Sequence, residues 1–296
     1  LGALIQIGSS STLITILAFA NAAHDELVFD DKVFVGTDPI VGIDSLATAF
    51  YQDVWGNDLP GRGFYRPLLM ISFELQSRIF GDWIPGYHIV NIAQHLIATL
   101  LVFGLLRHLL LLRGASGRLR ELAALIAAAV FAIHPIHTET VNSVFNGSSI
   151  TVTILGAGGL WWLMSRLQDR PWSAWIGFGL AYSVAILFKE EALTLPGIAV
   201  ALIVLLTPGS FGERIKRFLP VFFLLIPIAV YFYLRSIALA GEQTGGELRL
   251  MMEAANIPSR NTPLRLLTVT GQSLWMVLWP WPMRLYYWPL TGGALT

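Results

Sequence analysis

The sequence predicts an all-α membrane protein: a polytopic helical bundle of about seven or eight transmembrane helices with a long first extracytoplasmic loop that carries short amphipathic helices. Three observations support that reading. Hydrophobic residues make up 55% of the 296 residues and charged residues only 13%, with a mean hydropathy of +0.64, far from the composition of a soluble domain. Apolar runs of about 17–25 residues, long enough to cross a bilayer as helices, recur along the chain. Arginine and lysine gather in alternate connections, which orients those runs.

In chain order, the first apolar run covers residues 2–23. It begins at Leu1 without a methionine or a basic lead and lacks a small-residue cleavage site, so it is expected to be a retained span. Residues 24–84 form the first outer loop, with ten acidic residues against four basic ones. Within it, 44–56 and 67–80 have the apolar spacing of amphipathic helices. Ile43, Leu46, Ala47, Phe50, Tyr51 and Val54 form one face there, and Trp55, Phe64, Tyr65 and Trp83 suit interfacial anchors. Further spans are expected at 85–107, 121–142, 148–165, 172–188, 192–208 and 218–235, with an eighth candidate at 264–282. A second outer loop, 236–263, is glycine-rich around Gly241–Gly246 and suits a lid. Beyond it, Trp275, Trp279, Trp281, Tyr286, Tyr287 and Trp288 crowd an interfacial belt that Pro280 and Pro282 interrupt.

Orientation follows from Arg107, Arg113, Arg118 and Arg120, then Arg166 and Arg170, then Arg214, Lys216 and Arg217, which mark three cytoplasmic connections. The net charge of zero conceals this asymmetry, and without a basic stripe nucleic acid is not expected as a partner. The absence of cysteine removes disulfides and thiolate metal sites. No internal repeat is visible, so residues 1–296 read as one membrane module, expected to belong to a longer polypeptide.

The polar clusters that interrupt the apolar runs all fall on the outer side, and ionisable groups near hydrocarbon are costly enough to point to function. Asp30 and Asp31 follow the first span; one can act as a base while the other orients it or binds a divalent cation, or both can be a solvated pair. Arg66 precedes Pro67 at a helix start and offers a fork of donors suited to phosphate, against the alternative of snorkelling to headgroups. His88, Asn91 and His95 share one face of the second span, where interhelical hydrogen bonding is the plain account. His134, His137 and Glu139 close the third span; zinc ligation is one reading, and hydrogen bonding to a phosphate or to the aspartate pair is the favoured one. Lys189, Glu190 and Glu191 occupy the turn between the fifth and sixth spans, as an internal ion pair or as a charge for a leaving phosphate.

The ordered set Asp-Asp, Tyr-Arg-Pro, Gly-Tyr-His-x-x-Asn, His-Pro-Ile-His-Thr-Glu and Lys-Glu resembles the multi-spanning protein O-mannosyltransferases of the kind that carry C-terminal tetratricopeptide repeats, members of the GT-C glycosyltransferase superfamily. The resemblance implies a polyprenyl- or dolichyl-phosphate sugar as donor, membrane lipids as surroundings and a protein Ser or Thr hydroxyl as acceptor. It also implies inverting transfer on the outer face, with Asp30 as base and Asp31 as its support. Arg66, His137 and Lys189 would then hold the donor phosphate, and His88, Asn91, His134, Glu139 and Glu190 would surround them. No cofactor is required on this reading, and a divalent cation at Asp30 and Asp31 stays open. Low lysine with abundant arginine, alanine and leucine points to a bacterial inner membrane with a periplasmic site; the lumenal face of the endoplasmic reticulum is the alternative. The chain departs from the family where relatives carry a Gly-Arg-Ala-acidic stretch: here Asn146, Gly147, Ser148 and Ser149 stand instead. A transporter or flippase, or an inactive scaffold of the same build, is the competing expectation.

Overall fold

The computed structural model describes residues 15, 18–23, 26–28, 30–36, 43, 45–55, 63–240 and 262–279, and every regular element among them is helical. The chain divides into two compact units, residues 1–60 with 64–241, and residues 61–63 with 242–296.

The first unit contains ten α-helices among its described residues: α1 (Asp31–Phe34), α2 (Pro67–Phe80), α3 (Ile84–Leu112), α4 (Gly117–Ile133), α5 (Thr138–Asn142), α6 (Gly147–Arg166), α7 (Pro171–Phe188), α8 (Leu195–Leu206), α9 (Phe211–Phe218) and α10 (Leu225–Ala238). Proline sits in the first turn of α2, α3, α7 and α8, where its missing N–H costs nothing and its fixed φ suits the helix. Pro135 acts in the opposite sense. It holds His134 extended, with ψ near 127°, and ends α4 there.

Four helical stretches are long and apolar enough to cross a membrane: α3, α6, α7 and the continuous run Phe211–Ala238. A fifth is obtained if α4 and the segment Pro135–Asn142, bent by 45° relative to each other, count as one broken span. This is an integral membrane protein, although the described residues yield fewer spans than seven or eight. Most of 2–23 lies outside them, and 192–208 is shorter than expected. There a 3₁₀ turn, Glu190–Thr194, leads into the 12 residues of α8, about 18 Å long and too short to span alone.

α6 is the centre of the bundle, packed between α3 and α7. Close approach to α3 depends on Gly104, where a Cβ would come 2.6 Å from the Trp161 ring, the small-residue contact that membrane helices use. Between α6 and α7, Trp162 Nε1 donates to the Ser173 carbonyl at 3.0 Å.

Among its described residues, the first loop is only partly helical. The amphipathic helix expected at 67–80 is α2, but 44–56 provides just a 3₁₀ turn, Thr48–Phe50, among its described residues. The proposed common face is also split: Val54 is buried, whereas Leu46, Ala47 and Tyr51 are exposed. Trp55 and Tyr65 are not interfacial anchors either. Both are buried, Trp55 in a core with Phe34, Phe73 and Phe145 in which Phe34 stacks on Phe145 at 4.8 Å. Trp83 remains exposed, as an anchor should.

The second unit contributes α11 (Thr262–Leu278). Trp275 and Trp279 are exposed there, in keeping with an aromatic belt. Most of 236–263 lies outside the described residues, as do Trp281, Tyr286, Tyr287 and Trp288.

Candidate active site

The polar groups gather around the turn that starts α6. Asp31 is fully buried beside it: Oδ1 accepts from Ser143 Oγ at 3.0 Å and from the Phe145 amide at 2.8 Å, and Oδ2 accepts from the Val144 amide at 2.9 Å. On the other side, Asn91 of α3 donates Nδ2 to the Ser143 carbonyl at 2.8 Å and to those of Val141 and Thr140 at 3.3 and 3.4 Å. Gly147 completes the clamp, because a Cβ there would collide with Asn91 Oδ1. Burial pushes the Asp31 carboxyl above the ordinary aspartate value, against the hydrogen bonds from Phe145, Val144, Ser143 and Val28 that favour its charge. Its geometry is that of an anchor joining the first loop to the bundle. Asp30 stands one residue earlier, half-buried, its carbonyl accepting from the Val33 amide at 2.9 Å.

Arg66, buried at the start of α2, makes a two-pronged ion pair with Glu190: Nε to Oε2 at 3.0 Å and Nη2 to Oε1 at 2.5 Å. Its guanidinium also lies over the Phe64 ring at 4.7 Å. Burial alone would raise the Glu190 carboxyl; the Arg66 fork outweighs it and holds the group below the usual value. The planar match fixes the α7–α8 turn against the first loop and orients the neighbouring residue. That neighbour, Lys189, reaches Ser149 Oγ at 2.6 Å and stands 3.7 Å from Glu191. Burial lowers its pKa, and the nearby Arg66 charge acts in the same direction while Glu191, Glu190 and Glu139 oppose it. Glu139 itself is exposed and accepts from Asn146 Nδ2 at 3.3 Å.

Beneath this cluster lies a cavity of about 550 Å³, lined by α3, α6, α8 and the turns on either side. Its lining grades from mainly polar, where His95, His137, Thr140, Ser149, Thr153, Glu191 and Thr194 stand beside apolar neighbours, to apolar further along α3 and α6, at Leu105, Gly156, Ala157 and Leu160. From Ser149 to Leu160 it follows α6 for about 16 Å, at 1.5 Å per residue.

A family model described as dolichyl-phosphate-mannose-protein mannosyltransferase matches residues 67–233, more than half of the chain. The chain belongs to this mannosyltransferase family. Among individual relatives, it is 30% identical over 195 residues to the Drosophila melanogaster protein O-mannosyl-transferase Tmtc1, covering 64% of this chain and 22% of that protein. To Drosophila Tmtc2 it is 29% identical over 273 residues, 86% of this chain and 27% of the relative. The human protein O-mannosyl-transferase TMTC4 is 28% identical over 218 residues, covering 67% and 29%. The chain thus spans under a third of the length of these relatives. No solved structure matches it.

The family match contains Asn91, Glu139, Ser149, Lys189 and Glu190; Asp30, Asp31 and Arg66 precede it. Of the residues singled out in the sequence, Asp31, Arg66, Asn91, Glu139, Lys189 and Glu190 meet around the start of α6. His137 lines the cavity, with its ring 4.4 Å from Phe131 and 5.0 Å from His95. His88 and His134 do not line it. His88 Nε2 pairs with the Glu26 carbonyl at 3.2 Å, tying down the loop, and His134 Nδ1 accepts from the Ile136 amide at 3.2 Å in its own turn. Among the described residues, no group of three or more His, Asp or Glu is placed to hold a metal, which leaves the zinc reading without a ligand set. Sequence reasoning missed Ser143, Thr140 and Thr194. Small hydroxyls carry no spacing signal, and their roles come only from the helices that meet there.

Proposed function

We propose that this chain is the catalytic membrane module of a glycosyltransferase that moves a sugar, mannose in the first instance, from a polyprenyl or dolichyl phosphate to a protein Ser or Thr hydroxyl. The observation that carries the proposal is the graded cavity: an apolar trough beside α6 suits a prenyl chain, and its polar end, next to the Lys189 ammonium, suits the phosphate and sugar. Family membership supports the same reaction class. The site faces the outer side of the membrane, the periplasm in a bacterial cell or the equivalent endoplasmic reticulum lumen.

In this reaction the acceptor oxygen attacks the anomeric carbon, the bond from that carbon to the phosphate oxygen breaks, and the sugar inverts. Asp30 takes the hydroxyl proton. Asp31 supports it by fixing the loop from a buried position. Lys189 faces the negative charge that builds on the departing polyprenyl phosphate. Arg66, two of whose donors hold Glu190, adds positive potential from nearby, and His137 borders the polar end. Asn91, His88, His134, Glu139 and Glu190 hold the surrounding segments. No cofactor is needed for these steps, and a divalent ion shared by Asp30 and Asp31 would have to displace the Ser143, Val144 and Phe145 donors from Asp31.

The test is transfer of radiolabelled mannose from polyprenyl phosphate to membrane and periplasmic protein by the full-length protein, beside Asp30→Asn at equal membrane abundance. Loss of transfer in Asp30→Asn by a factor on the order of 100 or more is expected. Equal transfer by the variant removes Asp30 as base, and no transfer by either protein with intact donor overturns the mannosyl-donor reading.

A further inference from the structure

At the end of the bundle opposite the start of α6, cations collect on one helix terminus. The last turn of α8 leaves main-chain carbonyls without helical partners, and guanidiniums from two other elements come to them. Arg113, just past α3, donates Nη1 to the Leu205 carbonyl at 3.3 Å, and Arg214 of α9 donates Nη1 to that of Val204 at 2.8 Å and Nε to that of Gly209 at 3.2 Å. Arg217 donates Nη1 to the Pro208 carbonyl at 2.7 Å. Three full positive charges therefore ring a terminus whose own partial charge is about half a unit negative.

These main-chain bonds, of which those of Arg113 Nη1 and Arg214 Nη1 reach α8 itself and those of Arg214 Nε and Arg217 the turn just beyond it, use one or two donors of each guanidinium, which has five. The remaining charge is only partly balanced: the Glu213 carboxylate interacts with Arg217 and Lys216 at longer range than an ion pair, one acid against four cations. Among the described residues, no carboxylate forms an ion pair with Arg113, Arg214 or Arg217. The single acid on α9, Glu213, gives Oε2 to the Ser210 amide at 2.7 Å in a capping box. Arg107 and Arg120, by contrast, both pair with Glu121. Around the unpaired set the surface is apolar: Phe211 is 69% exposed, Leu205 64% and Leu111 49%. This capped, basic first segment of the run Phe211–Ala238, with its exposed phenylalanine, has the character of the interfacial end of that span.

The geometry points to a binding site for the phosphate headgroup of an anionic phospholipid at the C-terminus of α8, held by Arg113, Arg214 and Arg217, with its acyl chains against Phe211 and Leu205. Charge complementarity identifies the occupant as anionic, and the apolar surroundings favour a lipid over a free anion. The site is separate from the sugar-transfer reading and does not depend on it.

The experiment uses the full-length protein in neutral detergent, with native mass spectrometry and thermal unfolding in added dioleoyl phosphatidylglycerol, dioleoyl phosphatidylcholine or inorganic phosphate. Preferential retention of phosphatidylglycerol and a Tm rise specific to it are expected. Arg113, Arg214 and Arg217 changed to Gln singly should each weaken phosphatidylglycerol binding about fivefold. Because these arginines also hold the end of α8 and the turn after it, the matching Lys variants separate charge from folding: they should recover most of the preference. Equal retention of the two lipids, an equal Tm rise with inorganic phosphate, or Lys variants no better than Gln would each overturn the assignment.

Discussion

Lys189 shows how one side chain is tuned by what surrounds it. The resemblance leads one to expect a carboxylate at position 149, and Ser149 stands there instead, its hydroxyl 2.6 Å from the Lys189 ammonium. A carboxylate would neutralise that charge; a hydroxyl bonds to it and leaves it positive. Burial lowers the Lys189 pKa, so proton loss comes at a lower pH than for an exposed lysine. Donor binding that needs the ammonium should therefore weaken as pH rises towards the ordinary lysine range, with KM for the polyprenyl-phosphate sugar increasing and kcat falling with it, because the same ammonium faces the charge of the departing phosphate. Lys189→Arg, which stays charged over that range, should move the rise to higher pH or remove it. A KM profile of the same shape for Lys189 and Arg would exclude Lys189 as the titrating group.

At the scale of elements, the start of α6 is held by contacts that can be broken singly. Asn91 makes three hydrogen bonds into the α5–α6 segment and has no freedom to retreat from a Cβ at position 147. Gly147→Ala should cost about 1–3 kcal/mol of stability, read as a lowered Tm in detergent. Gly197→Ala in α8, where a Cβ meets nothing within 4 Å, should be neutral or slightly stabilising. The Gly147→Ala cost should shrink in an Asn91→Ala background if this contact is its source, and an unchanged cost would place the strain elsewhere. The same region shows what the sequence reveals and what it hides. His88, Asn91 and His95 were recognisable as one face because helical spacing is regular, α2 by its amphipathic spacing, and α3, α6 and α7 because their apolar runs are long. Their partners are backbone carbonyls on distant segments, such as Glu26, Ser143 and Ala132, which no side-chain pattern announces. The expected helix at 44–56 failed for a related reason. Its apolar residues do not serve one face: Val54 enters the loop core, while Tyr51 points outward.

For the molecule as a whole, the polar end and the trough must work as one site if the proposed reaction is right, because the lipid that presents the phosphate also occupies the trough. The sequence placed Arg66, Glu139, Lys189 and Glu190 on one side of the membrane through loop counting, but a cavity formed by α3, α6 and α8 depends on helix packing that periodicity does not specify. Ala157 lines that trough well away from Ser149, about 12 Å along α6, and contributes no polar group to the phosphate end. Ala157→Leu should therefore act on the chain of the donor and leave its headgroup contacts intact. Displacing two methylene-sized groups of a prenyl chain costs about 1.6 kcal/mol, so KM for a long-chain polyprenyl-phosphate sugar should rise on the order of tenfold with kcat little changed. A short-chain donor that does not reach Ala157 should keep its KM. If long and short donors lose affinity together, the substitution has disturbed the headgroup end; if neither is affected, the trough is not where the donor lipid lies.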